Sequence, residues 1–268
     1  MGKRFIFQAL LASLLLFSGL SWGKETSFDL GPAIFMMYGP HYRGANEERL
    51  YTIPYPAFIY KSDRIKAENA FIFGKLYQER HLTFSMSMVG SLPVGRKENK
   101  ARQGMPSLLP TIEVGPMMKM DIWEKKFNET KVNLDFFFPI RTNFAVDILR
   151  AERNGFFSVP HFALSMKQGK FYSNLTAALM WGSAAYHHYF YGVSHLYATP
   201  ERPSYQAQSG YSGYHFTLVQ SYRINKLQLL YFARYDQLKG VAFRNSPLVK
   251  KNDYFAFGIN ISYFFKIL

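Results

Sequence analysis

Reading every second residue splits many segments of this chain into one apolar face and one small or polar face. In 254–265 one face is Phe255, Phe257, Ile259, Ile261, Tyr263 and Phe265, and the other is Tyr254, Ala256, Gly258, Asn260, Ser262 and Phe264. In 112–122 the faces are Ile112, Val114, Pro116, Met118, Met120, Ile122 and Glu113, Gly115, Met117, Lys119, Asp121. In 132–141, Val132, Leu134, Phe136, Phe138 and Ile140 stand against Asn133, Asp135, Phe137, Pro139 and Arg141. Segments 82–92, 175–181 and 227–233 continue the pattern. A period of two is the period of a β-strand, whose side chains point alternately to opposite sides. A soluble sandwich alternates too, with its polar face outward and its apolar face on a second sheet. Here the second face is made of glycine, serine, asparagine and isolated charges, and its partner face is apolar on nearly every segment. That is the lipid-out, lumen-in pattern of a transmembrane barrel.

The N-terminus sets the compartment. MGKR is a short basic start, FIFQALLASLLLF is an apolar run, and Ser21 and Gly23 stand at −3 and −1 of a cut before Lys24. This arrangement predicts a signal peptide over residues 1–23 and a single barrel domain over 24–268. No later apolar stretch approaches the roughly 20 residues of a membrane-spanning helix. The 26 Phe and 19 Tyr are many for a soluble protein, while mean hydropathy is only −0.14. Tyrosines at segment ends (Tyr38, Tyr60, Tyr172, Tyr222, Tyr254, Tyr263) suit interfacial girdles.

The expectation is therefore an all-β chain: one transmembrane antiparallel β-barrel of 10–12 strands in a Gram-negative outer membrane. Connections near 61–64, 79–81, 127–130, 168–170 and 224–226 read as short periplasmic turns. Those at 39–49, 95–109, 147–155, 186–208 and 239–252 read as long extracellular loops. Strand number turns on 50–76, which reads as one bent strand or two. Pro32 and Pro116 fall within strands on apolar faces, where a missing N–H weakens a ladder, and read as bulges or rim positions.

Several features bear on chemistry. The chain has no cysteine, which excludes disulfides, thiolate metal sites and a cysteine nucleophile. The stretch YHHYFYGVSHL (186–196) holds three histidines and a serine. In extended backbone His187 and His188 point to opposite faces and cannot share a metal. No carboxylate lies nearby, and Ser194 beside His195 is poor geometry for a nucleophile and its base. No catalytic, metal or cofactor site is expected. The lumen-facing charges Glu113, Lys119, Asp121, Asp135, Arg141 and Arg234 read either as a selectivity constriction or as an internal salt-bridge network, the latter favoured in a narrow barrel. The net charge of +14 points to an anionic partner. The basic loop GRKENKAR (95–102) with Lys250 and Lys251 would face outward, either meeting lipopolysaccharide phosphates or forming a solvated face. Nucleic acid is excluded by export and a lipid-facing wall.

The segments YGPHYRGANEERLYTIPYPAFIY, SLPVGRKENKARQGMPSLLPTIEVGP, YFYGVS and SPLVKKNDYFAFGINISYFF resemble the MipA/OmpV family of outer-membrane proteins, the MltA-interacting proteins. The elements YRG, RQGMPSL, YGVS and SPLV occur in family order. Within them, Tyr191, Gly192, Val193 and Ser194 look like a family loop signature, with His187, His188 and His195 as local decoration. The resemblance implies a barrel without enzymatic activity and without a cofactor. It further implies a scaffold that brings a murein lytic transglycosylase together with a murein synthase. Other readings within the family are a porin-like channel for small solutes or a surface adhesion protein.

Overall fold

The structure is a computed structural model and describes residues 26–68, 71–91, 99–147 and 150–266. The expected signal peptide lies outside the described residues. The strands in chain order are β1 (Ser27–Pro40), β2 (Glu48–Lys61), β3 (Ile65–Glu68), β4 (Phe71–Glu79), β5 (Leu82–Gly90), β6 (Thr111–Phe127) and β7 (Thr130–Val146). They continue with β8 (Ala151–Ser158), β9 (His161–Gln168), β10 (Phe171–Gly182), β11 (Gly210–Ile224), β12 (Leu227–Gln237), β13 (Asp253–Tyr263) and β14 (Phe265–Lys266). A helix, α1 (Ala184–Tyr191), interrupts the series.

Every strand pairs antiparallel with its neighbours, and β13 returns to β1 through Ala33↔Ser262 to Tyr38↔Phe257, so the sheet closes. Closure removes the exposed edges that an open sheet would present to lipid. Two breaks explain why fourteen segments make twelve wall strands. β7 pairs with β8 over its second half and with β9 over its first, so β8 and β9 are one strand broken at Val159–Pro160. β14 continues β13 after Phe264, which turns inward and is 2% exposed. The uncertain stretch 50–76 holds parts of three strands, because β3 and β4 form a short hairpin of their own.

The alternation read from the sequence is the alternation of burial. Along β13 the odd-numbered side chains are mostly exposed and the even-numbered ones buried. Phe255, Phe257 and Ile259 form part of an outer apolar band with Phe216, Leu218, Leu175 and Leu179. The interior is polar and small: Ser85, Ser87, Asn143, Ser212, Asn260 and Ser262 are buried. They bond to one another and to the ladder. Tyr55 Oη donates to Asn260 Oδ1 at 2.9 Å, and Asn260 Nδ2 donates to Ser262 Oγ at 2.8 Å. No helix among the described residues is long and apolar enough to cross a membrane.

One end carries short turns, where Arg80, Asn128 and Asn225 adopt positive φ. The other carries the long loops, with one correction. The expected long loop at 147–155 is shorter than read: Asp147 N–H donates to Arg150 C=O at 2.9 Å, and strand resumes at Ala151. The two prolines sit where the ladder is already broken: Pro32 lies beside the β13–β14 break, and the β6–β7 ladder skips Gly115 and Pro116.

Candidate functional site at the long-loop end

The loop after β10 enters α1 instead of staying extended. Ser183 caps it, its Oγ accepting from Tyr186 N–H at 3.3 Å, the usual device for satisfying a free helical N–H. Ser183 Oγ also accepts from Phe156 N–H at 2.9 Å, which ties the helix start to β8. Gly155 makes this approach possible. Its φ is +84°, and a Cβ there would lie 2.1 Å from Ser183 Oγ. The extended-backbone reading of His187 and His188 is therefore corrected: both lie on one helical turn, His187 buried and His188 exposed. His187 is not decoration.

From its anchor on β8 the helix crosses the barrel mouth. Tyr186 stacks on Phe157 (centroids 4.3 Å apart), and its hydroxyl reaches Glu113 Oε1 on β6 at 3.3 Å. His187 reaches β11, with Nε2 2.5 Å from Ser212 Oγ and Nδ1 2.6 Å from Gln208 C=O. Gln208 C=O can only accept, so Nδ1 carries the proton and Nε2 accepts from the Ser212 hydroxyl in the neutral ring. Burial lowers the His187 pKa and keeps the ring neutral. Tyr191 closes the span. Its hydroxyl donates to Arg43 C=O at 3.0 Å and its ring stacks on Phe243 at 3.7 Å. Burial pushes the Tyr191 hydroxyl up to about 12.

Around this helix four loops share one apolar core. It contains Tyr42 and Ala45 after β1, Met105 and Leu108 before β6, Tyr191 and Val193, and Leu238, Val241, Phe243 and Leu248 before β13. Hydrogen bonds lace the loops together. Tyr42 Oη donates to Leu248 C=O at 2.8 Å, Ser246 Oγ to Tyr191 C=O at 2.7 Å, and Arg102 Nη1 to Phe190 C=O at 2.9 Å. Lys250 N–H and Lys251 N–H both donate to Gly44 C=O. Arg102 was expected to face outward in the basic loop. It is instead 6% exposed and turned into the cap, and burial lowers its pKa.

Beneath the cap sits a charged joint. Asp236 on β12 is fully buried and accepts from Arg43 Nε at 3.0 Å and from Arg234 Nη2 at 3.0 Å, with a further Arg234 Nε contact. Burial works against the Arg43 charge, but the Asp236 carboxylate outweighs it and raises the Arg43 pKa. The remaining predicted lumen charges form two other groups. Lys119 bridges Asp121 at 2.5 Å and Asp135 at 3.2 Å. Arg141 donates to Ser87 Oγ at 2.9 Å, while Glu113 meets Asn143 Nδ2 at 3.4 Å and the Tyr186 hydroxyl. The structure thus places the six charges inside the barrel in three separate groups.

Sequence reasoning missed Arg43, Asp236, Ser212 and the role of His187. Arg234 and Asp236 are two apart on one strand face, so Asp236 was readable from the same alternation. Ser194 and His195 make no catalytic pair: Ser194 caps a 3-10 turn by accepting from Leu196 N–H at 3.4 Å. Among the described residues no group of three His, Cys, Asp or Glu is arranged to hold a metal ion.

The family model described as "MltA-interacting protein MipA" matches residues 33–265. The chain belongs to the MipA family. The four family elements noticed in the sequence lie in the four loop segments that build the cap, so in this MipA-family chain the signature belongs to the cap and not to the wall. No curated protein sequence matches the chain. Among solved structures it is similar to the outer membrane phospholipase A of Escherichia coli, at 9% identity and TM-score 0.33, covering 89% of this chain and 92% of that one. It is similar to the toluene transporter TodX of Pseudomonas putida, at 11% identity and TM-score 0.33, covering 98% and 93%. A BenF-like porin of Pseudomonas fluorescens matches at 8% identity and TM-score 0.29, covering 92% and 100%. None of these likenesses brings an activity to the chain.

Proposed function

We propose that this MipA-family barrel is a non-conducting, non-enzymatic scaffold of the Gram-negative outer membrane. It is exported by a cleaved signal peptide at residues 1–23, with its short turns in the periplasm. Its task is to hold a murein lytic transglycosylase close to a murein synthase. The observation that favours this over a porin-like channel is the cap: α1 crosses the mouth from β8 to β6 and β11, and four loops pack a shared apolar core over it. A conducting pore needs a continuous polar path, and an apolar core shared by the loops at the mouth opposes one. The family description, an MltA-interacting protein, supports a murein-enzyme partner.

The periplasmic docking surface on this reading is the β6–β7 hairpin. β5 stops pairing with β6 at Met120, and the hairpin runs on to Phe127 and Thr130. Its tip offers Glu124, Lys125, Lys126 and Lys131 to water. At the opposite end Lys250 and Lys251 are proposed to meet lipopolysaccharide phosphates. The test is twofold. Purified, refolded protein should give no steady conductance in planar bilayers, and it should retain a murein lytic transglycosylase on a column. Shortening the hairpin by removing residues 125–132 should abolish that retention. Steady ion-selective conductance would replace the scaffold with a channel.

A further inference from the structure

The ladder at the short-turn end sets three lysines side by side. Lys126 on β6 stands directly opposite Lys131 on β7, and Lys131 stands directly opposite Lys167 on β9. All three are exposed. Neighbouring strands lie about 4.8 Å apart, and residues directly opposite share one face of the sheet. Like charges in that relation repel, so the row is unfavourable wherever nothing anionic lies on it.

The row faces the inner side. Lys131 has the parity of Asp135 and Arg141 along β7, and Lys167 that of Ala163 along β9, and all three of those references are buried. Lys126 joins the row through an irregularity. Further up β6 the inward set is odd-numbered, with Glu113, Met117, Lys119 and Asp121, and the ladder slips by one residue between Asp121 and Trp123. A bulge exchanges the two faces of the strand beyond it. Without the slip Lys126 would point at the membrane, and Trp123 and Phe127 at the lumen. With it, Trp123 and Phe127 stand on the outer face, 44% and 49% exposed. Lys125 shares that outer face, its Nζ 4.9 Å from the centre of the Phe127 ring.

Counter-charge is scarce in the row. Lys131 Nζ meets Glu124 Oε1 at 2.8 Å, but water screens this exposed pair. Among the described residues no carboxylate pairs with Lys126 or Lys167. Two rows deeper the same face is compensated, because Lys119 bridges Asp121 and Asp135. The rim alone is left positive. Anionic lipid headgroups would meet the outer face, where the rings stand, and not this one. A partner with isolated carboxylates would engage one lysine at a time. Peptide side chains fit better: three or four apart on a helix they lie about 5–6 Å from each other, and at alternate positions of an extended segment about 7 Å. Flexible lysine stems accommodate either spacing.

We propose that the row Lys126, Lys131 and Lys167 is the docking site for an acidic peptide segment of the murein-enzyme partner, one that carries several carboxylates on one face. The partner's identity rests on the scaffold reading, whereas the lysine site does not, so the two are tested apart. The mature chain is refolded in a non-ionic detergent, with fluorescein-labelled hexaglutamate as probe and anisotropy as readout. Saturable binding is expected, weakening as salt rises from about 50 to about 300 mM. Lys126→Gln, Lys131→Gln and Lys167→Gln together should weaken it by about tenfold, since three exposed charge pairs are lost. Arg153→Gln, Lys239→Gln and Arg244→Gln remove the same net charge from exposed positions at the long-loop end, and should change it by less than about twofold. A triple-lysine variant that is folded by heat-modifiable gel mobility, yet binds hexaglutamate as tightly as the unaltered chain, overturns the site. Equal losses in the two triple variants overturn it too, because net charge alone would then explain the binding. Solubilised murein fragments that displace the probe as well as unlabelled hexaglutamate does overturn a peptide as the occupant. A lytic transglycosylase retained equally by the unaltered and triple-lysine proteins overturns the row as its dock and leaves the scaffold standing. An enzyme retained by neither, with hexaglutamate binding intact, overturns the murein enzyme as the source of the segment and leaves the site.

Discussion

The seam where β13 meets β1 and the cap over the mouth solve opposite problems with the same aromatic residues. At the seam, Phe255 and Phe257 are 57% and 51% exposed, turned to a solvent that is itself apolar. In the cap, Phe243 is wholly buried and stacks on Tyr191, while His187 is buried and Arg43 half-buried beside it, both with hydrogen-bond partners. The seam is held by a regular ladder, each residue making the same backbone contacts as the next. The cap has little ladder and depends on particular side chains, so single substitutions should hurt it far more. That asymmetry can be tested from its strongest point downward.

The largest effect is expected at Asp236. Two guanidiniums, Arg43 from the cap and Arg234 from the wall, share this one buried carboxylate. Asp236→Asn keeps the shape and leaves two half-buried cations around a buried neutral amide without their shared counter-charge, which costs on the order of 3–5 kcal/mol. Urea unfolding in detergent, read by heat-modifiable gel mobility, should show that loss. A change below about 1 kcal/mol would mean that the joint is not what ties cap to wall.

How much of this was legible follows the same division. The wall could be read because lipid and lumen impose a period of two, and β6, β7 and β13 follow it over long runs. The strand count was legible only as a range of 10–12, which the twelve wall strands meet at its upper end, because β3 has four residues and too few alternations to register. β8 and β9 were hidden in another way: Pro160 breaks one strand into two segments. The cap was invisible as structure, although its four segments stood out as family elements. AAYHHYFY has no apolar stripe at helical spacing, since α1 is surrounded by wall and loops on most sides. The signal that was available is Ser183, a capping residue directly before it. Contacts such as Tyr42 with Leu248 join residues 206 apart, and no local pattern encodes them.

The second comparison uses one substitution in both regions. Phe243→Ala removes a ring packed on all sides and should cost about 3–5 kcal/mol. Phe257→Ala removes a ring whose outer half faced lipid or detergent, which fills the space left, and should cost below about 1 kcal/mol. Equal losses at the two sites would show that the cap is no better packed than the outer surface.

A third, smaller effect is the response of the cap to acid. Burial holds the His187 pKa below its unfolded value of about 6.5. Between the two values the unfolded chain binds more protons than the folded one, so stability rises with pH through that window. The His187 contribution is therefore complete above about pH 6.5 and is lost as the pH falls toward the folded value. Protonation also turns Nε2 into a donor, and the Ser212 hydroxyl must then reverse. Amide exchange in α1 should be faster at pH 5 than at pH 7.5 after correction for intrinsic rates, while β13 amides keep their protection. His187→Gln should flatten that difference. A uniform response across wall and cap would remove His187 as the cause.

The smallest change in stability is expected at Pro54 and Pro56, where the wall itself departs from regularity. Pro56 stands opposite Pro32, and neither carries an N–H, so the β1–β2 ladder uses no donor at that pair. Replacing Pro54 and Pro56 with threonine therefore costs no ladder bond to β1; it relaxes the unfolded chain, at a cost of about 0.4–1 kcal/mol per site. The fold should survive, and urea unfolding in detergent should show a loss well below that at Asp236 or Phe243. A loss as large as theirs would mean that the wall at β2 depends on particular side chains as the cap does.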